Sequence, residues 1–392
     1  MQRCGDEQRR ARLALRHHLA PATRSDDVVA VAGDLAGLHA TDPATIVLAA
    51  QARMDAPALP ALEHALYEQR SLLRILGMRR TMFVVPLDLA AVVHASTTRG
   101  LVPGERRRFV AQLQEGGVAE DGARWLEETE RATLAALIAR GEATAAQLAE
   151  DVPALKAKIA VAPGKSYGAM QGVSWKVLFL LAADGQIVRG RPQGSWTSTL
   201  YRWAPLRDWL PGGLPELDAD AAAAELVRRW LAAFGPGTIA DLKWWTGWTM
   251  GLLKRALARL DTVEVALDGG ATGLLLAGDE APVAAPAPWA ALLPGLDPAP
   301  MGWKERDWYL GAHRERLFDR NGNVGPTVWW EGRIVGGWAQ RAGGEIVVRL
   351  LEDAGADAAA AIDAEAQRLR VSLGDLRATP RFRTPLEREL VA

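Results

Sequence analysis

The chain has 392 residues, 49% of them hydrophobic and 24% charged, with one cysteine and a formal net charge of −1. This composition is typical of a globular protein, and the length predicts more than one domain, because a single hydrophobic core rarely serves more than about 300 residues. A net charge near zero excludes a uniformly basic nucleic-acid binder, and the single residue Cys4 excludes disulfides and a cysteine-rich zinc site.

The chain is expected to be cytoplasmic. Its N-terminus is charged and lacks the apolar segment that a secretory signal requires. The apolar stretch at 283–296 is interrupted by Pro286, Pro288 and Pro294, so it does not predict a membrane span. The single cysteine also fits a reducing compartment.

Apolar residues at helical spacing predict four helices near the N-terminus, at 7–20, 26–38, 43–53 and 57–69. Two short runs rich in β-forming residues follow at 72–78 and 81–85, and the Arg79-Arg80 pair between them predicts a hairpin. Helices followed by a two-stranded hairpin are the order of a winged helix.

Two further copies of this order can be traced. The second has predicted helices at 123–140, 145–150 and 173–183, and strands at 186–191 and 196–203. The third has predicted helices at 219–234, 239–245 and 250–260, and strands at 262–267 and 272–277. In both copies a threonine caps a helix and a small residue permits close packing. The two turns align as Gly141-x-x-Thr144-x-Ala146-x-Leu148 and Gly235-x-x-Thr238-x-Ala240-x-Leu242.

The remaining residues predict a linker and a small β-rich module. Residues 281–300 are proline-rich, strands are predicted at 327–331, 333–340 and 345–351, and a helix at 356–373. The predicted fold class is therefore α+β and mostly helical, with three tandem winged-helix units and a C-terminal β-rich domain. The expected boundaries are 1–100, 101–210 and 211–280 for the three units, and 281–392 for the linker and C-terminal domain.

Basic residues are concentrated in three windows, at 69–87, 152–206 and 242–260, which together contain one acid, Asp184. Each window coincides with a predicted recognition helix or wing, so we interpret them as contacts to a polyanion. The alternative is a set of solvated faces whose charge is balanced by acids from elsewhere in the chain. The candidate phosphate contacts are Arg79, Arg80, Lys165, Lys176, Arg189, Arg191, Lys243, Lys254 and Arg255.

The segment His39-Ala40-Thr41-Asp42-Pro43 is the candidate catalytic site. Asp42 before Pro43 predicts a helix start, because the carboxylate accepts first-turn N–H groups and proline needs no donor there. His39 and Thr41 alternate around Ala40, so in an extended link both polar side chains point the same way and can hold a water. The plainer alternative is that His39 ends the preceding helix and Thr41 belongs to a capping turn.

Four motifs in the chain resemble the AlkZ/YcaQ-like winged-helix DNA glycosylases of bacteria. They are Gly37-Leu38-His39-Ala40-Thr41-Asp42-Pro43, Met78-Arg79-Arg80-Thr81-Met82-Phe83-Val84-Val85-Pro86, Leu292-Leu293-Pro294-Gly295-Leu296-Asp297 and Gly325-Pro326-Thr327-Val328-x-x-x-Gly332-Arg333-Ile334-Val335-Gly336-Gly337-Trp338. The resemblance implies three winged helices in a C-shape that grip duplex DNA, and excision of alkylated bases, including bulky adducts and interstrand crosslinks. It also implies a catalytic pair, commonly glutamine with glutamine or aspartate two residues later, where this chain has His39 and Thr41.

The substituted pair retains the hydrogen-bonding capacity that such a reaction needs. Cleavage of an N-glycosidic bond builds positive charge on the sugar, and a base made cationic by N7 or N3 alkylation leaves without a strong general acid. His39 and Thr41 can therefore hold the attacking water, and an imidazole with a pKa of about 6.5 can also act as a general base. Asp42 provides either negative charge or a helix cap.

Two other classes of function stay open from the residues alone. One is a DNA-binding regulator or lesion sensor without chemistry, and the other is a resistance protein that sequesters a genotoxin between the units. For the glycosylase interpretation we expect double-stranded DNA as the partner, a monomer at the nucleoid, no membrane contact, and neither a cofactor nor a metal.

Overall fold

The computed structural model describes residues 2–161, 169–380 and 383–392. Its N-terminal region consists of helices with a small three-stranded sheet, in which the strand Met82–Pro86 lies between Leu38–His39 and Leu72–Leu76. The predicted helices and hairpin are confirmed. The first three helices are shorter than expected, whereas the fourth continues beyond its α-helical part as a π-helical turn at His64–Glu68. The elements are β1 (Gln2–Cys4), α1 (Asp6–Arg16), α2 (Val28–Asp34), β2 (Leu38–His39), α3 (Pro43–Gln51), α4 (Ala58–Glu63), β3 (Leu72–Leu76), β4 (Met82–Pro86) and α5 (Leu87–Val93).

The hairpin turn between β3 and β4 is tight. Met78–Arg80 forms one turn of 3-10 helix, and Arg79 and Arg80 have φ values of 53° and 61°. Gly37 lets β2 approach β4, because its φ is 112° and a Cβ there would lie 2.8 Å from Val85. The predicted cap is also present: the Asp42 carboxylate accepts a hydrogen bond from the N–H of Ala44 at the start of α3.

The middle region has a hydrophobic core of its own within residues 102–203. The predicted turn at Thr144 is confirmed as a capping box with Gln147. A long helix, α6, precedes the predicted elements and was missed from the sequence. The elements are α6 (Arg99–Glu115), α7 (Gly122–Arg140), β5 (Ala143–Thr144), α8 (Ala145–Asp151), β6 (Lys158–Val161), β7 (Ala169–Gly172), α9 (Ser174–Ala183), β8 (Ile187–Pro192), β9 (Tyr201–Pro205) and α10 (Leu206–Trp209).

The third region repeats the capping box, here formed by Thr238 and Asp241. Its hairpin gains a strand that was not predicted, because β1 pairs in parallel with β10. The first residues of the chain therefore complete the sheet of a region expected to begin at residue 211. The elements are α11 (Ala219–Phe234), α12 (Ile239–Thr246), α13 (Met250–Leu257), β10 (Thr262–Leu267) and β11 (Thr272–Leu276).

The C-terminal region contains a four-stranded antiparallel sheet whose strands lie side by side in chain order. The prediction of a linker through residue 300 is wrong in its second half, because β12 forms the edge of this sheet and its four residues are buried. The flanking prolines concealed this short apolar strand. The elements are β12 (Ala290–Leu293), α14 (Asp307–Leu310), α15 (Arg314–Leu317), β13 (Thr327–Trp330), β14 (Arg333–Gln340), β15 (Ile346–Leu350), α16 (Ala356–Leu373) and α17 (Pro385–Val391).

One continuous hydrophobic core joins the N-terminal, third and C-terminal regions, through residues such as Leu13, Trp230 and Trp329. At its edge, Arg53 and Asp297 form an ion pair in which both side chains are fully buried. This pair fixes α3, and with it the segment that begins at His39, to the C-terminal region. Among the described helices, none is long and apolar enough to cross a membrane.

Candidate functional site

His39 lies on β2 with its side chain 4% exposed. It pairs with Phe83 across the sheet, and the two ring centroids are 5.3 Å apart. Burial, with a smaller contribution from the nearby Arg79 cation, lowers the pKa of His39 to about 3. The imidazole is therefore neutral near pH 7. Its Nδ1 atom is buried and has no hydrogen-bond partner among the described residues, so its capacity for a hydrogen bond is unused by the protein.

Thr41 and Asp42 follow His39 in the chain and are held by the backbone. The N–H of Met82 donates to Thr41 Oγ1 over 3.4 Å, which leaves the hydroxyl proton free to be donated. Asp42 Oδ1 accepts from the N–H of Ala44 at 3.0 Å, so its carboxylate is occupied as a helix cap. Asp42 also lines a cavity with Glu387, whose pKa burial raises to about 7.

Arg79 brings a cation close to this segment. Its guanidinium carbon lies 4.0 Å from the centroid of a Trp244 ring on α12, a cation–π contact between the hairpin turn and the third region. Gly247, at the end of α12, has a φ of 73°, and a Cβ there would lie 3.3 Å from the Arg79 backbone. Burial, followed by repulsion from Arg306, lowers the pKa of Arg79 to about 10.

Arg80 and Lys176 meet at one carboxylate, and this result corrects the prediction for Lys176. Both cations pair with Glu105 on α6, and Arg108 lies 3.3 Å from the same carboxylate. Arg80 is exposed, whereas Lys176 is 7% exposed, and burial lowers its pKa to about 8. An ammonium that is buried in an internal ion pair cannot also contact DNA, so Lys176 is a structural residue.

The other predicted contacts differ in their surroundings. Arg189 is half-buried against Tyr201 and Trp203, whereas Arg191 pairs with Glu63 at 3.3 Å. Three basic residues of α12 and α13 are exposed: Arg255 lies 3.3 Å from Asp220, and Lys243 and Lys254 form no salt bridge with the described residues. Lys165 lies outside the described residues.

Two further arginines are buried, and neither was among the predicted contacts, although Arg74 lies inside the first basic window. Arg306 is 5% exposed and lies over Trp244, and Arg74 is 8% exposed and lies 4.5 Å from the ring centroid of Tyr201. Each has two guanidinium nitrogens without a partner among the described residues. Arg306 follows a proline-rich stretch outside the three basic windows, so charge density did not single it out. No cluster of potential metal ligands occurs in the described ranges.

The structure is similar to that of the Streptomyces sahachiroi DNA glycosylase AlkZ, with a TM-score of 0.73, 20% sequence identity, and coverage of 95% of this chain and 97% of that chain. A sequence model described as DNA glycosylase AlkZ-like matches residues 32–370. The chain belongs to the AlkZ-like DNA glycosylase family, which confirms the resemblance seen in its motifs. Comparison with curated proteins gives no match.

Membership of this family supports a DNA-repair glycosylase, which is a hydrolase that binds DNA. At 20% identity the structural likeness shows the fold.

Proposed function

We propose that this protein is a monofunctional DNA glycosylase that hydrolyses the N-glycosidic bond of purines alkylated at N7 or N3, including bulky adducts and interstrand crosslinks, in duplex DNA. The observation that carries the proposal is the neutral, buried imidazole of His39, whose Nδ1 atom has no partner among the described residues. A hydrogen-bonding group of this kind, beside a threonine hydroxyl, can hold a water without adding a charge to the site.

In this mechanism the departing base supplies most of the driving force, because alkylation has already made it cationic. His39 and Thr41 orient the attacking water towards the sugar carbon as the glycosidic bond breaks and positive charge develops there. The base leaves as the neutral purine with the bonding electron pair, and the proton lost by the water passes to solvent. Asp42 acts as a positioning residue, because its cap on α3 fixes the segment that contains Thr41. A second role for Asp42, as negative charge near the sugar, is compatible with its place but unnecessary for water binding.

DNA binding is proposed to use three tandem winged-helix units, at 1–100, 101–210 and 211–280, arranged in a C-shape around the duplex. Support comes from the order of helices followed by a hairpin in each region, and from the two matching capping boxes at Thr144 and Thr238. The proposed phosphate contacts are the predicted ones other than Lys176, namely Arg79, Arg80, Lys165, Arg189, Arg191, Lys243, Lys254 and Arg255.

The decisive experiment is incubation of the purified chain with duplexes that contain 7-methylguanine or a bulky N7 adduct. We expect release of the free base and formation of an abasic site, and no release from the matched undamaged duplex. Tight binding to the damaged duplex without release would instead identify a lesion sensor. Sequence-specific binding to undamaged DNA would identify a regulator, and either result would overturn the proposal.

The affinity for duplex DNA is expected to fall steeply with salt, by about 0.9 in log K per log unit of salt for each phosphate contact. Lys243 and Lys254 are the clearest test, because both are exposed and form no salt bridge within the described ranges. Replacing both with glutamine should reduce the slope by about 1.8. Arg370→Gln, on the exposed face of α16, is the control and should leave the slope unchanged. An unchanged slope in the double variant would show that neither lysine contacts a phosphate.

A further inference from the structure

Arg79 and Arg306 share one indole ring. Their guanidinium carbons lie 4.0 Å and 4.9 Å from the centroids of Trp244 rings. Arg79 comes from the hairpin turn of the N-terminal region, Trp244 from α12 and Arg306 from the loop before α14. Three separate regions of the chain therefore bring two cations to one aromatic side chain.

Both arginines have guanidinium N–H groups that make no hydrogen bond within the described residues. Arg79 Nε, Arg306 Nε and Arg306 Nη1 are buried and have no hydrogen-bond partner among the described residues. Neither guanidinium forms a salt bridge within those residues, although the side chain of Arg306 is 95% buried. A buried guanidinium normally has a carboxylate or several carbonyl partners, because an unpaired buried charge is costly. These nitrogens therefore indicate a site for an anion that the chain itself does not supply.

The nearby acid cannot serve as that anion, because its oxygens are already occupied. Asp241 Oδ1 accepts the N–H groups of Lys304 and Glu305 at 2.8 Å and 2.9 Å. Its Oδ2 accepts from the N–H and hydroxyl of Thr238. These bonds fix the start of the Arg306 loop to α12. Asp241 therefore positions the guanidinium beside Trp244, and its charge acts on Arg306 only through space, without a salt bridge.

The site is adjacent to the candidate catalytic segment. The turn that contains Arg79 leads directly into β4, whose Phe83 pairs with His39. Phe83 also lies 6.5 Å, between ring centroids, from Trp245 on α12. An anion held by Arg79 is consequently close to any nucleotide that approaches His39.

We propose that Arg79 and Arg306, supported by Trp244, bind one phosphodiester of the DNA backbone, the one that flanks the nucleotide being excised. A phosphate offers several oxygens to two guanidinium groups, and arginine is suited to such planar, charge-assisted contacts. This assignment rests on the proposed function, and it gives the phosphate a second role. Its negative charge would offset two cations that otherwise oppose the positive charge developing on the sugar.

The test uses a duplex with a stable abasic analogue, in which one phosphate at a time is replaced by an uncharged methylphosphonate. For the unmodified chain we expect about a tenfold or larger loss of affinity at one phosphate flanking the analogue, as loss of a charge-assisted hydrogen bond predicts. Arg306→Met, which keeps an apolar stem on Trp244, should lose about as much on normal DNA. The variant should then show no further loss when that same phosphate is neutralised.

Arg370→Met is the matched control, and its response to each methylphosphonate should equal that of the unmodified chain. Independent, additive losses in Arg306→Met would overturn the inference, as would a uniform loss at every phosphate in the unmodified chain. The scan of the unmodified chain can overturn the inference in this second way even if Arg306→Met fails to fold. Because the analogue has no base to excise, the outcome is separate from the excision assay. Coupling without excision would retain the phosphate site and reject the glycosylase.

Discussion

Arg53→Met is expected to lower the free energy of unfolding by about 3–5 kcal/mol, the usual cost of leaving a buried charge without its partner. Arg53 Nη2 and Nη1 lie 2.7 Å and 2.8 Å from the two carboxylate oxygens of Asp297, and both side chains are 0% exposed. The guanidinium also donates to the carbonyls of His17 and Ala49. Without the guanidinium, the Asp297 carboxylate would be a buried charge that lacks its ion-pair partner. Urea unfolding followed by tryptophan fluorescence measures the effect.

The control for this prediction is Arg124→Met, which breaks an exposed pair with Glu128 at 2.9 Å. Exposed pairs contribute about 0–1 kcal/mol, so its unfolding curve should nearly overlay that of the unmodified chain. If Arg53→Met behaved like this control, the ion pair would not be what joins α3 to the C-terminal region. Asp297→Asn should also destabilise the fold, because its amide group would face the guanidinium donors.

The Arg53–Asp297 ion pair is an example of a contact that could not be predicted from the sequence. The motif that ends at Asp297 was recognised as a family feature, but its partner, Arg53, lies 244 residues away. Spacing along the chain carries no information about such a contact. The helix caps at Thr144 and Thr238 and the α16 helix at 356–373 depend on neighbours within a few residues, and these predictions were confirmed.

Among the site residues, too, features set by sequence neighbours were predicted, whereas features set by distant residues were not. That Asp42 begins a helix was a local prediction, and the structure confirms the cap. Whether a basic residue is exposed depends on acids from distant elements, and Glu105 on α6 buries Lys176 in a way that its own window of sequence could not indicate. Arg306 was overlooked for the converse reason, because Trp244 and Arg79 become its neighbours only after three regions fold together.

His39→Ala is expected to reduce the single-turnover rate of base excision by about a hundredfold or more, the usual effect of losing a positioned group that acts on the reacting atoms. Binding of abasic-analogue DNA should be nearly unchanged. With a pKa of about 3, His39 has the same neutral form throughout the range from about pH 5 to 8. The excision rate should therefore be independent of pH across this range, as far as His39 determines it. The rate should decline only when the pH falls towards this pKa and the imidazole becomes protonated.

His39→Gln is the informative companion, because an amide can also accept from and donate to a water without carrying charge. It should retain most of the excision rate that His39→Ala loses, and with the same flat pH profile. A rate that rises through about pH 6.5 would instead indicate an imidazole that titrates as an ordinary general base. Equal rates for the unmodified chain and His39→Ala would remove this side chain from the mechanism, while leaving base excision itself to be explained by other residues.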